Sequence, residues 1–228
     1  MGVRTMTQRT NARVAGFAFL FYIAVGITQM VLSGVTHADS TPARLALLAR
    51  HAWRMRVNVV LTLVICATAI VLATALFAIT RDEDRDLAVL GLAFRAGEGV
   101  LAALGALTSL GVLWLATDAA PAPETTTSAL AELLLQIQGW NVTIIATFFA
   151  LGSTVFSWLL LRGRFIPVAL AWLGVVASLI LVAGLPLSLV DAIGGTVTQL
   201  MWLPMAAFEI PLGFWLLIKG VRPTAAAA

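Results

Sequence analysis

Apolar residues fill six long runs separated by short polar breaks: Val14–Ser33, Val57–Ile79, Leu87–Leu115, Gly139–Leu161, Ile166–Val190 and Thr196–Ile218. Each run has the about 20 residues that a helix needs to cross a hydrocarbon core. Lipid offers the backbone no hydrogen bonds, so only helices or closed barrels span it, and runs this continuous lack the alternation of barrel strands. The pattern predicts an all-α polytopic bundle of six transmembrane helices. The longest break, ATDAAPAPETTTSALAELLLQIQ, reads as a Pro/Ala/Thr linker ending in a short turn that feeds the fourth helix, so no soluble domain fits between the spans. Residues 1–228 are expected to form a single transmembrane domain.

Composition agrees. The chain is 61% hydrophobic and 11% charged, with a mean hydropathy of +0.99, which is too little polar surface to coat a soluble globule. The first run is longer than a signal-peptide core and carries Tyr22 and Gln29, so an uncleaved helix is expected rather than cleavage near Ala38.

Charge then sets orientation. Arg4, Arg9 and Arg13, then Arg81 and Arg85, then Arg162 and Arg164, then Lys219 and Arg222 all fall on one side of the bundle. Basic residues in short loops stay in the cytoplasm, which places both termini there. Arg44, Arg50, Arg54 and Arg56 break the rule on the opposite side. The stretch TPARLALLARHAWRMRVN has helical character and is expected to lie on the outer headgroups or to extend the second helix, with Arg44 and Arg50 snorkelling to lipid phosphates.

Several chemistries drop out. Cys66 stands alone and the histidines are only His37 and His51, so no metal site, iron–sulfur cluster or bis-histidine haem is expected, and no cofactor is implied. The sequence pI of about 10.0 favours anionic lipid headgroups, and no nucleic-acid motif accompanies it. The expected partners are membrane lipids and a small lipophilic ligand. A bundle of this size stands alone or forms a homo-oligomer through small-residue faces.

The candidate chemistry lies in ionisable residues inside the spans, where a charge costs about 2.5–3.5 kcal/mol on insertion scales. Arg95 is nine residues beyond Asp86, and Glu209 is ten before Lys219. At ~1.5 Å per residue both sit roughly 14–15 Å from the cytoplasmic face. Glu98 is one turn from Arg95 on the same helix face, and Tyr22 reaches a similar level. Arg95, Glu98 and Glu209 are the catalytic candidates. One cation faces two carboxyl groups, which predicts that one of Glu98 and Glu209 carries a proton unless Arg54 or Arg56 reaches inward. The alternative is that the three residues simply pin the third and sixth helices together.

Polar residues gather in the outer half. Gln199, Trp202 and Glu209 share one face of the sixth helix, and Arg54 and Asn58 share one face of the second. Together with Asn141 and Tyr22 they outline a polar vestibule opening outward, with Arg54, Asn58, Asn141, Gln199, Trp202 and Tyr22 as ligand-binding candidates. Pro204 and Pro211 should bend the sixth helix around Glu209. The glycines of the third helix, Gly91, Gly97, Gly99, Gly105 and Gly111, favour close packing.

The segments ARVAGFAFLFYIAVG, AFRAGEG, LLLRGRFIPVALAWLG and LPMAAFEIPLGFWLLIKGVRP, in this order and spacing, resemble the bacterial membrane proteins of domain-of-unknown-function family 4386. Arg95, Glu98, Pro167, Glu209 and Lys219 fall on the family pattern. The resemblance implies a six-helix protein of the bacterial inner (plasma) membrane and no assigned activity. Gln138 and Gly152 depart from it, standing where many relatives carry histidine. If a histidine there serves acid–base chemistry, this chain lacks it.

Three functions remain in view. The first is binding of, or action on, a small lipophilic molecule, with a protonated carboxyl as acid and Arg95 stabilising charge. The second is a small proton-coupled carrier hinged at the prolines of the sixth helix. The third is an accessory or scaffold subunit. A carrier needs a cytoplasmic opening, and the inner half of the sequence is apolar, which favours the first.

Overall fold

The structure is a computed structural model that describes residues 7–34, 40–118 and 124–222. Arg4, His37 and Ala38, used above, lie outside them. Eight helices follow along these residues: α1 (Gln8–Gly34), α2 (Thr41–Arg50), α3 (Ala52–Thr80), α4 (Arg85–Thr117), α5 (Glu124–Arg162), α6 (Val168–Leu189), α7 (Thr196–Leu200) and α8 (Leu203–Ile218). No strand occurs among the described residues. Six stretches are long and apolar enough to cross a membrane, namely α1, α3, α4, α5, α6 and the α7–α8 stretch.

Short connections make successive spans antiparallel neighbours, and they close into a ring: α1 packs on α3, α3 on α4, α4 on α5, α5 on α6, α6 on α8, and α8 back on α1. The closing seam depends on Gly16, where a β-carbon would overlap the backbone nitrogen of Leu217 and stand 2.6 Å from the carbonyl oxygen of Gly213. Small residues allow such backbone contact in lipid, where there is no hydrophobic force to drive helices together.

The arginine-rich ends of the spans form what we term the basic end. Here Asp84 caps α4 by accepting from the Leu87 amide at 3.1 Å, and Arg162 at the end of α5 pairs with Glu83 at 3.0 Å and Asp84 at 3.2 Å. The core fills this half of the ring, with Phe165, Ile166, Leu159, Leu160, Ile79 and Leu216 fully buried.

At the far end the helices are unequal. α5 has 39 residues and α4 has 33, about 58 and 50 Å at 1.5 Å per residue, so this pair reaches well past a hydrocarbon core of about 30 Å. The segment expected as a linker and short turn is thus continuous helix from Glu124. α2 accounts for the outer arginines. It starts at a Ser40 cap with proline in its first turn, crosses the mouth of the ring, and packs on α4 and α5 with Leu48 buried.

The sixth span departs from expectation. Its break falls between α7 and α8, at Met201–Trp202, rather than around Glu209. Pro204 sits in the first turn of α8, where an amide has no partner inside the helix and a proline costs nothing. Pro211 lies inside α8, which continues past it.

Candidate functional site

Arg95, Glu98 and Tyr22 meet in the middle of the ring. Arg95 and Glu98 are one turn apart on α4, and their side chains pair at 2.7 Å (Nη1 to Oε2) with only 2% of each exposed. The other Glu98 oxygen, Oε1, accepts a hydrogen bond of 2.7 Å from the Tyr22 hydroxyl of α1. Both carboxylate oxygens are therefore engaged, one by a cation and one by a neutral donor. The guanidinium also lies 4.8 Å from the ring centre of Phe149 and 5.7 Å from that of Tyr22, an arrangement in which a desolvated cation is held by aromatic faces.

Room for this arginine comes from α5. A β-carbon at Gly152 would stand 2.8 Å from Arg95 Cγ and 2.9 Å from Cδ. Any side chain at this position would displace the arginine stem. Gln138 donates a 2.7 Å hydrogen bond to Ser109 across the α4–α5 pair.

Glu209 is buried, 8% exposed, on α8. It lies within electrostatic range of Arg95 and Glu98 and forms no side-chain hydrogen bond or ion pair among the described residues. No direct ion pair of the cluster joins α4 to α8 among the described residues, the contact that one reading of the sequence looked for. The cluster's close contacts tie α4 to α1 through Tyr22. Neither outer arginine weighed as a second cation joins it, since Arg54 lies over Trp53 at 5.4 Å and Arg56 is exposed.

On the far side of the cluster the ring encloses a cavity of about 970 Å³ with Tyr22 and Glu98 at its floor. Asn58, Asn141 and Trp202 line it as expected. Asn58 donates to Ser33 at 2.9 Å, Asn141 to the Leu101 carbonyl at 3.2 Å, and Trp202 tilts against Phe149 at 6.0 Å. Arg54 and Gln199 are not on the wall: the first turns onto Trp53, and the second is exposed on α7. The cation that does line the cavity is Arg44 of α2, which the sequence reading gave to lipid phosphates. Its only advance signal was the amphipathic run after Pro42.

On the basic side of Arg95 the packing is tight. A void of about 10 Å³ remains among Phe19, Leu76, Phe156, Phe208 and Leu212, room for one water at most. Among the described residues no group of three or more His, Cys, Asp or Glu side chains could hold a metal ion.

Residues 14–220 match the family described as Domain of unknown function (DUF4386). The chain belongs to this family. No curated protein and no solved structure matches it. Family membership and the six apolar helices together make the protein an integral, multi-pass membrane protein. The family match covers every element of the site, from Tyr22 on α1 to Glu209 on α8.

Proposed function

We propose that this member of the family is a protein of the bacterial inner membrane, with its basic end in the cytoplasm, and that its cavity binds a small lipophilic molecule above the Tyr22–Glu98–Arg95 cluster. The observation that carries this is the cavity itself. It holds about 970 Å³ behind mainly apolar walls, at the top of the range of about 300–1,000 Å³ typical of ligand sites, and polar side chains such as Gln29, Asn58 and Asn141 are set among them.

Glu98, ion-paired with Arg95 through one oxygen and accepting from Tyr22 through the other, serves in this reading as an anchor rather than an acid. Glu209, the carboxyl without a partner of its own, is the group assigned to carry a proton, and Arg95 holds the charge balance between the two. The packed layer beneath Arg95 argues against a carrier, which needs a path to the basic end.

Gly26 provides a direct test. It lines the cavity, and a β-carbon there would meet no atom within 4 Å. Gly26→Phe should put an aromatic ring into this space, its β-carbon meeting no neighbour. Native mass spectrometry with lipidomics, on protein purified in mild detergent, should find a discrete copurifying lipophile in the original chain and none in Gly26→Phe. Absence of any ligand from both would sink this reading and favour the scaffold.

A further inference from the structure

A lipophilic ligand needs a way in, and the wall of the cavity is incomplete on one side. α8 has only 16 residues and starts at Leu203, so from the basic end it rises about 24 Å and stops short of its neighbours. It touches α1 near the basic end, where Gly16 meets Leu217 and Gly213 meets Leu20. Beyond the Met201–Trp202 break, α7 turns to pack on α6. Further along α1, Ile27 and Met30 line the cavity yet are 60% and 78% exposed. Opposite them Val142 of α5 and Trp202 also line it and are also exposed. Wall side chains this exposed, beside a last helix that stops short, mark the open side of the cavity. At the far end α2 packs on α4 and α5, on the other side of the cavity from this gap.

The rim supplies the polar specificity. Arg44 is the cation on the cavity wall, its Nε is buried without a hydrogen-bond partner, and Asn58 Oδ1 is in the same condition. No carboxylate among the described residues pairs with Arg44. An unanswered cation and an unanswered acceptor beside an apolar chamber fit an anion that carries a hydroxyl neighbour.

Resting on the reading of the cavity as a lipophile site, we infer that its ligand is an acidic glycerophospholipid taken sideways from the bilayer between α1 and Trp202. Its headgroup anion sits on Arg44, its headgroup hydroxyl on Asn58, and its hydrocarbon points toward Tyr22. The route explains why a membrane protein would interrupt its last span where a continuous helix would have sealed the ring.

The test uses the full chain in bilayer discs of phosphatidylcholine, doped with either chain-brominated phosphatidylglycerol or chain-brominated phosphatidylcholine at equal mole fraction. Quenching of Trp202 is read as the difference from Trp202→Phe. The phosphatidylglycerol probe should quench several-fold more than the phosphatidylcholine probe. Arg44→Gln should bring the two to parity while Arg44→Lys keeps most of the preference, and Gly26→Phe should reduce both to the level of surrounding lipid. Circular dichroism confirms that each variant is helical. Parity in the original chain, with Gly26→Phe still lowering the signal, overturns the acidic headgroup and leaves the cavity reading intact, and a preference that survives Arg44→Gln overturns the role of Arg44. Quenching that Gly26→Phe leaves unchanged with either probe overturns the cavity reading itself.

Discussion

Arg95→Met should lower stability by about 3–5 kcal/mol, the usual cost of removing one partner from a buried ion pair. The loss arises because Glu98 would keep its burial and its hydrogen bond from Tyr22 while losing the cation at 2.7 Å. Glu209 would lose the one positive charge near it among the described residues. Removing the carboxylate as well, in Arg95→Met with Glu98→Leu, should recover a large part of the deficit, because a paired apolar replacement leaves no unanswered charge. Adding Tyr22→Phe should recover more, since the hydroxyl has lost its acceptor. Reversible unfolding in mixed micelles, followed by tryptophan fluorescence, gives the cycle. A double variant whose loss equals the sum of the two single losses would show that Arg95 and Glu98 are energetically independent.

The second large effect is expected at Gly16. Its β-carbon would collide with backbone atoms of Leu217 and Gly213, and backbone, unlike a side chain, cannot rotate aside. Gly16→Ala should therefore cost about 1–3 kcal/mol through overpacking, with Gly16→Val at or beyond the top of that range. Gly26→Ala, ten residues along the same helix and facing open space, gains the same helix propensity with no collision and should be neutral or stabilising. The same unfolding measurement decides it, and equal behaviour of the two alanine variants would mean that α1 and α8 are not in close contact at Gly16.

How far the sequence led depends on the kind of signal. The spans were legible because lipid demands long apolar runs whatever the packing. The pairing of Arg95 with Glu98 was legible because three residues on a helix is one face, and Tyr22 followed from depth alone. What could not be read depends on contacts between helices. Gly152 looks like any membrane glycine until α5 is set against α4 and its empty side holds the arginine stem. The sequence favoured Arg54 for the cavity and Arg44 for lipid, and only the placement of α2 brings Arg44 to the cavity wall while Arg54 lies on Trp53. The stretch after Pro123 carries threonines that suggest a loop, yet α4 and α2 give it surfaces to pack on, and it is helix from Glu124. Pro204 was read as bending a helix, whereas it stands in the first turn of α8, just after the break within the sixth span.

The placement of Arg95 and Glu98 on a single helix also bears on how the protein is made. A charge entering the bilayer alone is expensive, and partners on separate helices would each have to wait for the other. Here α4 brings its cation and its anion together, one turn apart, so it can leave the insertion machinery already neutralised, before α5 or α6 has been synthesised. Glu209 arrives on the last helix and joins a site whose charges are already in place. The order of synthesis thus delivers the self-balanced helix first and the unbalanced one last, when an arginine is waiting for it.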